Sequence, residues 1–161
     1  MRPLWEIADF VRRLRVQIRY GELSRAPLQL LRVELRGDVA ECDWVARPPD
    51  QWDVELQLES AERDASLQAL KDAIAVRDLL FDSLPQLDSA ALRVYRPCED
   101  GGPTLVITGT VSRDQKAPVS VHSVAMRAKL LGFRFSLSDG VLENLPVEEH
   151  ARHAYAGTIR L

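Results

Sequence analysis

The chain has 161 residues, 46% of them hydrophobic and 28% charged, which suffices for one buried core and argues against two. A formal charge of −3 gives the whole surface no electrostatic grip on nucleic acid or acidic membranes, leaving only a local basic patch for such a role. No apolar run reaches the length of about 18 residues that a membrane helix needs, and Glu6, Asp9, Arg12 and Arg13 interrupt any signal-peptide core. The expectation is one cytoplasmic globular domain over 1–161 with no membrane partner.

Eighteen arginines against three lysines (Lys71, Lys116, Lys129) read as a GC-rich coding sequence before they read as function. Cys42 and Cys98 are two and form no Cys-x-x-Cys pair, which argues against a disulfide framework or a cysteine zinc site.

From Pro3 to Tyr20, Leu4, Ile7, Val11, Leu14 and Ile18 form a helical stripe, with Arg12, Arg15 and Arg19 on another face and Gly21 as the stop. The period then switches to two. Leu31, Val33 and Leu35 alternate with charged residues, as do Ala40, Cys42 and Trp44, and Gly37-Asp38 supplies a two-residue hairpin turn. Pairing Arg36 with Val39 places Val33 beside Cys42, Leu31 beside Trp44 and Arg32 beside Asp43. Pro48-Pro49 is a rigid connector, after which Trp52, Val54, Leu56 and Leu58 alternate with polar residues as a third strand, an early start of the next helix, or an extended loop.

The stretch from Ser60 to Leu84 is a long amphipathic helix around which the rest packs. Leu67, Leu70, Ala73, Ile74, Val76, Leu80 and Phe81 make its apolar side, and Asp64, Gln68, Lys71, Asp72, Asp78 and Asp82 the other. Ser60 is its expected N-cap and Pro85 its stop. Residues 91–96 and 104–112 form a second hairpin across a Gly-rich loop, with Leu105, Ile107 and Val111 toward the core. Pro118 opens a third helix closed by Gly132. Phe133, Phe135 and Leu137 then alternate in a last strand, with Val141-Leu142 returning after Ser138-Asp139-Gly140. The tail 146–161 reads as a short helix from Glu148 to Ala156.

The order α-β-β-(β)-α-β-β-α-β predicts an α+β fold, with an antiparallel sheet of about five or six strands and helices mainly on one face. That order resembles the helix, three strands, helix, two strands, helix arrangement of small secretion-chaperone-like domains, in element order alone.

Three places invite chemistry. Arg113, Lys116, Ser120 and His122 gather at the start of the third helix, where free backbone amides and basic side chains suit an anion such as phosphate or carboxylate. His150 and His153 are one helical turn apart and, with Glu149, offer ligands to a metal. Arg12, Arg15 and Arg19 could meet nucleic-acid phosphates, although no aromatic residue interleaves them and the chain is acidic. No nucleophile elbow, phosphate-binding loop, dinucleotide fingerprint or His-Glu-x-x-His is present, and no catalytic residue or cofactor is assigned. The leading expectation is therefore a non-catalytic binding or assembly module, a homodimer or a complex subunit, engaging protein through a sheet face or edge strand. An anionic-ligand protein or enzyme and a nucleic-acid binder are the alternatives.

Overall fold

The computed structural model describes residues 2–56, 60–97 and 102–146. Four helices are seen, α1 (Arg2–Gln17), α2 (Gln51–Glu55), α3 (Ala61–Ser83) and α4 (Val124–Leu130). Five strands, β1 (Gln29–Arg36), β2 (Val39–Val45), β3 (Ser89–Arg96), β4 (Thr104–Ser112) and β5 (Phe133–Arg134), form one sheet in the order β1-β2-β3-β4-β5. A separate hairpin joins β6 (Leu137–Ser138) to β7 (Val141–Leu142). The architecture is α+β, as the alternation of hairpins and helices predicts.

The β1–β2 hairpin turns at Gly37, whose φ of 63° is open to glycine without a Cβ penalty. Its register is the expected one from Arg36↔Val39 to Arg32↔Asp43. A bulge between Leu30 and Arg32 then pairs Leu30, not Leu31, with Trp44 and turns Leu31 to the opposite face. β2 and β3 run parallel, because α3 carries the chain back along the sheet before β3 begins. β3 and β4 are antiparallel, with a second irregularity at Val94/Tyr95 that sends Val106 and Ile107 into the main core and Leu105 to the other face.

The main core lies between one sheet face and the helices. Phe10 and Leu14 of α1 with Ile18 just after it, Leu70, Ala73, Val76 and Leu80 of α3, and Ala128 of α4 pack on Cys42, Trp44, Leu92, Val94, Ile107 and Val111. Burial of this many large side chains, at about 25 cal/mol per Å² of apolar surface, is the main source of the fold's stability.

Several expectations fail for identifiable reasons. The alternating segment after Pro49 is the short helix α2, with Asp50 accepting a hydrogen bond from the Trp52 amide at 3.0 Å, and Trp52, Val54 and Leu56 are exposed. Residues 57–59 lie outside the described set, and the third strand of the secretion-chaperone-like order has no counterpart among the described residues. Ser60 precedes α3 but makes no side-chain cap. The helix expected to open at Pro118 begins at Val124, capped by the Ser123 hydroxyl accepting from the Met126 amide, so Pro118 lies in the loop before it, and the expected helix from Glu148 to Ala156 lies outside the described residues. Gln68 and Asp72, expected on a solvated side of α3, are buried, for a reason that lies in Arg47.

Candidate interaction surface

β1 occupies one edge of the sheet. Among the described residues it pairs only with β2, so about half of its amides and carbonyls point outward without a strand partner. α1 lies above this edge. Its Phe10 and Leu14, and Ile18 just after it, turn inward, while Trp5 and Val16 stand 77% and 72% exposed. Between helix and edge strand runs a groove of about 750 Å³ whose apolar wall comes from Val11, Leu14, Val16, Ile18, Leu28 and Leu30. Arg15 and Arg19 line it as well. A groove of this size, open along a strand edge, suits a polypeptide segment that can hydrogen-bond to the edge and bury apolar side chains beside it.

The sheet face turned away from the helices carries an ionic cluster. Arg32 donates to Glu34 and to Glu41, and its other terminal nitrogen lies 3.7 Å from Asp43. Arg93 bonds Asp43 at 3.2 Å and approaches Glu41 at 3.6 Å. Asp43 is wholly buried, and burial raises its pKa even though Arg93 and Arg32 pull it down. Glu34 is shifted the other way, held down by hydrogen bonds from Arg36 and Arg32. Cys42, on the opposite side of the same strand, is a buried free thiol whose pKa is raised by burial and by Asp43, so it is no nucleophile.

A second buried ion pair sits at the other end of β2. Arg47 donates to both oxygens of Asp72, at 2.7 and 3.3 Å, and to the carbonyls of Ile18, Arg19 and Ala26. Gln68 donates to Asp72 and accepts from the Leu23 amide. This network ties the end of α1, the loop after it and α3 to β2, and it explains why Gln68 and Asp72 face inward.

The residues predicted to bind an anion lie on the connection between β4 and α4. The Arg113 guanidinium donates to the carbonyls of Leu84, Pro85 and Leu87 and stacks on Phe81, so it seals the end of α3. Lys116, Ser120 and His122 are exposed on the loop leading to α4. Glu149, His150 and His153 lie outside the described residues, and among the described residues no group of three or more His, Cys, Asp and Glu is placed to hold a metal. On α1, Arg12 pairs with Asp9, Arg13 pairs with Asp82 and Ser83, and Arg15 is exposed, while beyond the helix Arg19 stacks on Tyr20. Of the arginine stripe, only Arg15 and Arg19 line the groove.

A further hollow of about 510 Å³ opens where β2 and β3 end, beside the start of α3. Its Ser66 hydroxyl accepts from the Leu142 amide, and Arg96 donates to the Leu142 carbonyl and to Asn144, so both are engaged within the protein. The sequence signals for the β1 edge were present in the Arg-Val-Glu-Leu-Arg alternation, but nothing in one strand's pattern says which side of it lacks a neighbour. No described helix is long and apolar enough to cross a membrane. No family model, curated protein or solved structure matches this chain.

Proposed function

We propose that this protein is a non-catalytic assembly module that self-associates through the β1 edge and the groove between β1 and α1. The observation that carries the reading is the eight-residue edge strand beside an apolar groove of about 750 Å³. Charge pattern supports a second copy as the occupant. Antiparallel pairing of β1 with itself about Val33 sets Arg32 opposite the partner's Glu34 and Glu34 opposite the partner's Arg32, both on the face away from the helices. Val16 and Trp5 then become interface residues, which accounts for their exposure in the single chain. The reduced, buried Cys42 is in keeping with a cytoplasmic setting.

Val16→Glu tests the reading, because Val16 is exposed and its replacement leaves the core untouched. Sedimentation velocity is expected to show a dimer for the wild type, and at least tenfold weaker association for the variant with unchanged circular dichroism. A wild type that remains monomeric at high concentration overturns it.

A further inference from the structure

α2 buries none of its residues, and Trp52 and the capping Leu56, four positions apart on one side of the helix, stand 66% and 52% exposed. α4 repeats the arrangement, with Met126 and Leu130 four apart and 51% and 42% exposed. The charges between these anchors are inverted. Trp52-Asp53-Val54-Glu55-Leu56 runs apolar, acid, apolar, acid, apolar, whereas Met126-Arg127-Ala128-Lys129-Leu130 runs apolar, base, small, base, apolar. Glu55 accepts a hydrogen bond from Gln51 of its own helix, and Lys129 lies over the Phe135 ring. Neither has an ion-pair partner among the described residues. Within one chain the two elements lie apart. α2 follows the Val45 end of β2 and the connection to α4 leaves the Ser112 end of β4. The alignments Val45↔Tyr95↔Leu105 and Val39↔Ser89↔Ser112 put these at opposite ends of the sheet, about 20 Å apart.

We propose that α2 of one chain docks antiparallel on α4 of a second copy, joining chains head to tail. In that packing Trp52 meets Leu130 and Leu56 meets Met126. Glu55 and Lys129 then share one flank, about 3 Å apart along the helix axes, and Asp53 and Arg127 share the other. Arg127 also donates to the carbonyls of Pro118 and Val121, which holds the loop of the 90% exposed Val119 against α4 and widens its apolar face. Because the two surfaces differ, the contact is heterologous: it repeats along a row or closes a ring, whereas the β1 edge pairs two chains and stops. Little more than one helical turn on each side makes a small contact, so it gathers chains at high concentration and leaves the β1 edge as the stronger interface.

Sedimentation velocity of the full chain tests this in the Val16→Glu background, which removes the β1-edge contact. The weight-average mass is expected to rise with concentration, and Glu55→Lys or Lys129→Glu alone to weaken that association several-fold with unchanged circular dichroism. An equimolar mixture of the two single reversals is expected to recover it, because the reversals complement each other, and so is a chain carrying both. A mixture that associates no better than either single reversal overturns the proposal. So does a Val16→Glu chain whose mass does not change with concentration. Neither result bears on the β1-edge reading, whose own test compares Val16→Glu with the wild type.

Discussion

Removal of the Arg47 side chain is expected to be among the most damaging single changes in the chain. Arg47 is 3% exposed and makes five hydrogen bonds, two to Asp72 and three to the carbonyls of Ile18, Arg19 and Ala26. Arg47→Met keeps the apolar volume but leaves Asp72 buried with only Gln68 as donor, and breaking a buried pair this way costs about 3–5 kcal/mol. The carbonyls at the end of α1 lose a cationic cap, which adds about 0.3–1 kcal/mol. The sum is a large part of the 5–15 kcal/mol that stabilises an ordinary domain. Urea unfolding followed by circular dichroism measures it. The double variant Arg47→Met with Asp72→Leu should recover about half the loss or more, because no charge is then left unpaired in the core. Arg47→Met within 1 kcal/mol of wild type, or a double variant worse than the sum of the two singles, would refute the reasoning.

Gly109→Ala should destabilise by about 1–3 kcal/mol, since a Cβ there would lie 2.5 Å from the Gly132 carbonyl oxygen where β4 meets β5, and thermal unfolding would reveal it. Asp43→Asn should change the pH dependence of stability. The folded-state pKa of Asp43 is raised by burial above the ordinary 3.8, so its favourable contribution is complete below that value and lost as the pH rises through the folded value. The stability of wild type relative to the variant should therefore fall as the pH rises above the ordinary 3.8, and a rise in urea midpoints over that course contradicts it. Arg113→Ala should lower stability by about 1–3 kcal/mol through the released Leu84, Pro85 and Leu87 carbonyls, while leaving calorimetric titration with phosphate unchanged from the wild-type trace.

Periodicity made the helices and the two hairpins legible, because each buries one face and the pattern of Leu, Val and Ile records it. The β1–β2 register was readable to the residue from Arg36 to Arg32, and failed at Leu31 because a bulge leaves no compositional trace in a strand with apolar neighbours at 30 and 31. The segment after Pro49 alternates like a strand yet is a helix of five residues, too short for any period to decide. Asp72 illustrates a deeper limit. Its position on α3 marks it as a solvated residue, and only the arrival of Arg47, just past the end of β2 and 25 residues earlier, makes it a buried one. Arg113 shows the same limit: its cationic side chain meets backbone carbonyls 26 to 29 residues upstream, a long-range contact that local spacing does not encode.

The assembly reading turns on β1, and backbone amide exchange across Gln29–Arg36 in wild type and in Val16→Glu tests it most directly. The account predicts that the outward-pointing amides of β1 exchange markedly faster in the variant while β2, β3 and α3 are unchanged. Identical exchange in β1 for the two proteins would contradict it.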